Sequence, residues 1–240
     1  MKDTLSEHAS VALLDSPVQA ACENGWQNWV QTHGSAQALP AFIGDFAAFD
    51  PAAPTAGRAL ATLIAHRQAP VLFLQRDDIE VPGTVSCLEK LGAVQMVLRS
   101  APALPDMEAI ALLETRDAED MLSLAKLCKP GPFAIGTPLL GKFLGVHHNG
   151  QLIAMAGQRM KFPGWTEVSG VCVHPDFEGQ GLGASLTAAM VHFILAGAEM
   201  PFLHTYESNH RAISMYERLG FEVRTEMKIA RVGMTAELCV

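Results

Sequence analysis

Residues 171–185, Val-Cys-Val-His-Pro-Asp-Phe-Glu-Gly-Gln-Gly-Leu-Gly-Ala-Ser, decide how this chain is read. A strand pattern ends at Val173, and His174-Pro-Asp forms a turn. Gly179, Gly181 and Gly183 then lead into a helix whose Leu182, Leu186, Ala189, Met190, Phe193 and Ile194 share one face. Such a turn leaves several backbone N–H groups unpaired and aimed at one point, with the positive end of the helix dipole behind them. Without side chains in the way, a diphosphate can approach those donors closely. The dipole supplies only roughly 0.3–1 kcal/mol, so the directed N–H bonds carry most of the attraction. Two other readings stay open: a tight turn with no ligand, and a dinucleotide fingerprint, which Gly179-x-Gly181-x-x-Ala184 also satisfies. Against the latter, His174 to Glu178 separate the strand from the first glycine, and the chain holds too few βα units for a doubly wound sheet.

Further along the chain stands Tyr206-Glu-Ser-Asn-His-Arg-Ala-Ile-Ser-Met-Tyr-Glu-Arg-Leu-Gly-Phe-Glu222. Asn209, Ala212 and Tyr216 form one helical stripe, Ser208 or Asn209 caps the helix, and Gly220 suits its left-handed end. Together the two stretches resemble the GNAT N-acetyltransferase superfamily, over about Ala109 to Arg231. Glu178-Gly-Gln-Gly-Leu-Gly183 matches the family's Arg/Gln-x-x-Gly-x-Gly/Ala signature at Gly181 and Gly183, but Glu178 replaces the Arg or Gln. Either Glu178 points to solvent, or its charge weakens CoA binding. The second stretch matches the N-x-x-A-x-x-x-Y segment with its Leu-Gly-Phe ending.

The resemblance implies an α/β fold with a mixed sheet and helices packed on it, acetyl-CoA as co-substrate, and a small-molecule or peptide amine as acceptor. It implies cofactor contacts from the backbone of Val171, Cys172 and Val173, from Gly179, Gln180, Gly181, Leu182, Gly183 and Ala184, and from Asn209. It places the Tyr216 hydroxyl near the CoA sulfur, where it protonates the leaving thiolate. Glu167 stands where the histone-acetylating branch of the superfamily keeps its general base. Strand alternation sets Glu167, Ser169, Val171 and Val173 on one face. Desolvation there would raise the Glu167 pKa into the range useful for accepting a proton. The alternatives are a glutamate facing water at a strand edge, with ordered water taking the proton.

Outward from these motifs, Phe143 to His148 and Gln151 to Met160 form a hairpin around Asn149-Gly150, and Trp165 to Val173 is a strand. Strands follow at Ala109 to Leu113, Pro201 to Tyr206 and from Phe221, and Asp117 caps a helix running to about Leu127. Upstream, Arg58 to His66 reads as a helix, Val71 to Gln75 as a strand, Val85 to Leu91 as a helix and Ala93 to Leu98 as a strand. Leu88-Glu-Lys-Leu-Gly-Ala93 thus parallels Tyr216-Glu-Arg-Leu-Gly-Phe221, either by duplication or by chance repetition of helix–Gly–strand punctuation. With a boundary at Ser100-Ala-Pro-Ala-Leu-Pro105, the expected organisation is a smaller, degenerate GNAT-like domain over 1–105 and a catalytic domain over 106–240. In that scheme the first domain serves as scaffold or substrate wall. Acceptor walls are also expected from Leu127 to Gly141 and from Lys161 to Trp165.

Composition narrows the rest. Of 240 residues, 49% are hydrophobic and 18% charged, which excludes a disordered chain. Seventeen Lys and Arg against twenty-five Asp and Glu give a net charge of -8, so no nucleic-acid partner is expected. Five scattered cysteines without a CxxC pair read as reduced thiols, and no metal is expected; Cys172 reads as a small packed thiol and His174 as a turn residue. His147 and His148 point to opposite sides of a strand and cannot readily share a metal. The polar, acidic opening residues carry no secretory pattern, and no membrane span is evident, so a cytoplasmic location is expected. The remaining functional rivals are a non-catalytic acyl-CoA sensor and a nicotinamide-dependent reductase.

Overall fold

A computed structural model describes residues 11–234; the first ten residues and the last six, Cys239 among them, lie outside the described residues. After a short 3-10 turn come α1 (Pro17–Glu23), β1 (Gln31–His33), β2 (Ala36–Ala38), β3 (Ala47–Phe49), α2 (Ala56–Arg67), β4 (Val71–Gln75) and β5 (Ser86–Leu98). The second stretch holds β6 (Ala111–Leu113), α3 (Ala118–Cys128), β7 (Phe143–His148), β8 (Gln151–Phe162) and β9 (Trp165–Val173). It ends with α4 (Leu182–Ala196), β10 (Met200–Tyr206), α5 (His210–Arg218) and β11 (Phe221–Gly233).

One eight-stranded sheet runs in the order β4-β11-β5-β10-β9-β8-β7-β6, and β1 to β3 form a separate small antiparallel sheet. Among the described residues, only β9 and β10 pair in parallel within the large sheet. This is therefore not the doubly wound parallel sheet that a dinucleotide-binding fold requires. The β7–β8 hairpin turns on Asn149 and Gly150, at φ of +49° and +80°, the paired positive angles that an Asn-Gly turn supplies. A bridge between Phe46 and Leu72 ties the segment before β3 to the large sheet.

Two apolar layers cover the sheet. On one face α4 and α5 bury Leu186, Met190, Ile194 and Tyr216 against Met96, Ile153, Val168 and Leu203. On the other, Leu14, Trp26, Leu39, Ile43 and Phe46 pack on Val97, Met160, Phe162 and Phe202. The α3 helix buries Met121 and Leu124 beside Phe143, Met155 and Cys172.

Four expectations need correcting. The helix expected over Val85 to Leu91 is the first half of β5, which pairs with β11 from Ser86 to Leu98. Leu, Glu and Lys favour a helix, but a 13-residue partner strand overrides so weak a preference. Leu88-Glu-Lys-Leu-Gly-Ala93 is therefore strand where Tyr216-Glu-Arg-Leu-Gly is helix end, and the likeness no longer supports a duplication. Nor does Ser100 to Pro105 separate two sheets, because β5 lies between β10 and β11. The expected division into 1–105 and 106–240 thus cuts through a single sheet. Last, Gly170, at φ +62°, interrupts the alternation of β9. Val168, Val171 and Val173 face α4, and Glu167 faces the other side.

Candidate active site

Strands β9 and β10 pair at Trp165–Met200, Thr166–Pro201 and Glu167–Phe202, and then part. From Leu203 to Tyr206, β10 is held by β5 alone, and the later residues of β9 are held by β8. A cavity of about 620 Å³ fills the gap and reaches both faces of the sheet. At one end it is lined by the loop from Glu178 to Ala184, except Gln180, and by Asn209, Arg211 and Ala212. At the other end lie Phe46, Leu72, Leu74, Arg159, His204 and Tyr206.

The glycine loop has the geometry read from the sequence. Gly179 and Gly181 sit at φ +78° and +80°, and Gly181 is the N-cap of α4. A side chain at either would be strained, although nothing lies within 4 Å of the Cβ position. The first internal bond of the helix start is Ser185 N–H to the Gly181 carbonyl, at 3.0 Å. Among the described residues, no N–H from Gly179 to Ala184 donates a hydrogen bond. Gln180 contributes a free amide, while its exposed side chain stays outside the cavity.

Glu178 points across the loop mouth and pairs with Arg211 at 2.6 Å, with both side chains well exposed. Asn209 caps α5, its Oδ1 accepting from Ala212 N–H at 3.1 Å. Seven residues on, Tyr216 is buried yet lines the cavity. Its hydroxyl makes no hydrogen bond among the described residues. Burial pushes the Tyr216 pKa up, and neighbouring Cys172 and Glu167 push it the same way, so the phenol holds its proton. Cys172 is buried against α3, as a packed thiol. Cys128 donates to the Val173 carbonyl at 3.1 Å. His174 accepts from Asp176 N–H in its turn, at 3.2 Å. Leu127 to Pro132 do line the cavity; Lys161 to Trp165 do not.

Glu167 is neither a water-facing edge residue nor a carboxyl with a raised pKa. It is fully buried at the last paired position before the strands part. Arg159 grips it with two bonds, Nε to Oε2 at 2.9 Å and Nη2 to Oε1 at 2.8 Å. His204 Nδ1 lies 2.8 Å from Oε1. Burial alone would raise the Glu167 pKa, but the Arg159 charge and the hydrogen bonds from His204 and Arg159 outweigh it, holding the value at about 2.

The His204 tautomer follows from its other side. Arg224 Nη1 donates to Gln95 Oε1 at 2.8 Å, which fixes the orientation of that amide. Gln95 Nε2 then donates to the Leu14 carbonyl at 2.8 Å and to His204 Nε2 at 3.0 Å. His204 Nε2 is thus an acceptor already in use, and Nδ1–H donates to Glu167.

Sequence reasoning missed Arg159, His204 and Arg211. The only signal for the first was an Arg in the apolar β8, placed by the hairpin near an acid on β9; nothing local marked the other two.

A chain with a splayed parallel pair, a glycine cradle and a buried phenol at the split has the architecture of an acyltransferase. A family profile described as FR47-like protein matches residues 143–230. A solved GNAT-family acetyltransferase structure from Novosphingobium aromaticivorans is 33% identical, covers 93% of this chain and 99% of its own, and superposes with a TM-score of 0.85. A GCN5-related N-acetyltransferase from Kribbella flavida shares the fold at 19% identity, covering 92% of this chain and 95% of its own, with a TM-score of 0.61. The chain belongs to the GNAT acetyltransferase family. Mycothiol acetyltransferase from Arthrobacter sp. is 33% identical over 110 residues, which are 45% of this chain and 31% of that protein. Its counterpart from Propionibacterium freudenreichii is 45% identical over 58 residues, 24% of this chain and 19% of that one. The matched stretches thus span less than a third of these relatives' own length.

The Glu167 cluster makes a stability prediction. Its folded pKa lies below the ordinary 4.5, so its contribution is complete above about pH 4.5 and is lost as pH falls towards 2. The pKa difference corresponds to about 3 kcal/mol. Glu167→Gln, which strands Arg159, should cost about 3–5 kcal/mol at neutral pH. Urea unfolding from pH 7 to pH 2.5 should show wild type losing stability in that window more steeply than the variant. Parallel curves would refute the pairing.

Proposed function

We propose that the protein transfers an acetyl group from acetyl-CoA to an amine. The observation that carries this reading is the run of unpaired amides from Gly179 to Ala184, opening on the cavity that Tyr216 lines. The residues fit the co-substrate: neutral N–H donors for a diphosphate, and a strand edge at Val171 to Val173 freed by the parting of β9 and β10. Bound there, acetyl-CoA supplies an activated acyl carbon.

The chain does the rest. The amides of the loop fix the diphosphate, and the free edge of β9 pairs with the pantetheine arm as an added strand would. Backbone N–H at the strand gap polarises the thioester carbonyl. Tyr216, kept protonated by burial, donates its proton to the departing thiolate as the amine attacks the carbonyl carbon. Glu167 does not accept the ammonium proton, being held ionised by Arg159, and the His204 lone pair is already bonded to Gln95. Water in the cavity takes that proton.

Four substitutions test this. Tyr216→Phe should lower kcat roughly 100-fold or more while leaving the calorimetric affinity for CoA nearly unchanged; an unaltered kcat removes the phenol from the chemistry. Gly181→Asp, by backbone strain and charge together, should abolish CoA binding in the same assay. Retained affinity would place the phosphates elsewhere. Because Glu178 competes with phosphate for Arg211, Glu178→Gln should tighten CoA binding by up to about fivefold, the range of an exposed ion pair, and Arg211→Ala should weaken it.

A further inference from the structure

The end of the cavity away from the glycine loop is a chamber of defined chemistry. Phe46, Leu72, Leu74 and Ile229 line it, and all four belong to the apolar layer opposite α4 and α5. Among these apolar residues stands Arg159, whose side chain is 10% exposed. Its guanidinium lies over the Phe46 ring, 4.6 Å from the centroid. Nε and Nη2 are spent on Glu167, but Nη1 donates to nothing among the described residues. Tyr206 shares the wall, and its hydroxyl is likewise without a hydrogen bond there.

Nη1 opens to the cavity without a protein acceptor, and between apolar walls a ligand atom that accepts from it is favoured over one that cannot. The missing group is thus an acceptor atom, and its charge can be argued. Glu167 already balances the Arg159 charge, so a second carboxylate would stand beside a buried anion and be repelled. A neutral carbonyl oxygen satisfies Nη1 without that repulsion. The surrounding Leu and Ile side chains favour an aliphatic group. The amine itself must face the strand gap, where Tyr216 lies.

We propose that the acceptor is an α-amino amide with an aliphatic side chain: its carbonyl oxygen accepts from Arg159 Nη1, its side chain packs on Leu72, Leu74 and Ile229, and its amine points into the gap between β9 and β10. Free amino amides and peptide N-termini share this chemistry. The inference rests on the acetyl-CoA reading above and goes further by naming the substrate class.

The test uses wild-type protein with acetyl-CoA and follows thiol release over four acceptors: L-leucinamide, L-leucine, 3-methylbutylamine and a tripeptide with N-terminal leucine. Leucinamide should exceed both leucine and 3-methylbutylamine at least roughly tenfold in kcat/KM, since each lacks a neutral carbonyl for the Arg159 Nη1 donor. Comparable turnover of the tripeptide assigns the site to peptide termini, and turnover of leucinamide alone assigns it to small molecules. Leu72→Ala should raise KM for leucinamide without raising it for glycinamide. A result in which 3-methylbutylamine or leucine matches leucinamide overturns the proposal. So does calorimetric CoA binding with no acetylation of any of the four. Absence of CoA binding would instead overturn the acetyl-CoA reading itself.

Discussion

Everything at this site depends on two parallel strands parting after three residue pairs. Separating β9 from β10 beyond Glu167 and Phe202 leaves backbone groups on both edges without ladder partners, which a sheet ordinarily resists. What holds the split in place is an ion cluster at its apex. Arg159 on β8, Glu167 on β9 and His204 on β10 tie three neighbouring strands together at one depth. Gly170 then bends β9 away through a backbone angle other residues avoid. Buried charges of this kind are poor sources of net stability compared with apolar packing. Their value here is positional: the bonds to Glu167 fix where pairing ends, and so where the cavity begins.

The N-terminal hundred residues build the half of the cavity that the motifs do not encode. Strand β5 is inserted between β10 and β11, so β4 and β11 carry Leu72, Leu74 and Ile229 to the chamber wall. The Phe46–Leu72 bridge closes the roof by bringing the Phe46 ring over Arg159. This region shares one sheet with the rest of the chain. No second copy of the catalytic fold is needed.

Legibility in the sequence followed the range of the forces involved. Short-range constraints read well: Asn149-Gly150 supplied the hairpin, Asn209 the cap of α5, and Gly179 and Gly181 the positive backbone angles of the loop. These depend on a residue and its immediate neighbours. Leu88-Glu-Lys-Leu-Gly failed because its conformation is imposed by β11, more than a hundred residues away. Glu167 was found as a position but misjudged as a chemical group. Its ionisation is set by Arg159, eight residues back, and by His204, brought in by a crossover through α4. Residues 11–55 carry few periodic apolar stretches, since β1, β2 and β3 are three residues each, too short for alternation to register.

The same distinction bears on how a glutamate would be tolerated in this loop if, as proposed, it holds a diphosphate. A free carboxylate at position 178 would repel a diphosphate, particularly in a protein of net charge -8. Arg211 changes the balance: paired with Glu178 it leaves the mouth of the loop formally neutral. Attraction then comes from oriented N–H dipoles, which act over a few ångströms and demand correct geometry, rather than from charge, which acts at long range on any anion. On the proposed reading, a neutral mouth with free amides would discriminate by the shape of the phosphate group, and exchange of Arg211 from Glu178 to an incoming phosphate would add charge only once that shape has been accepted.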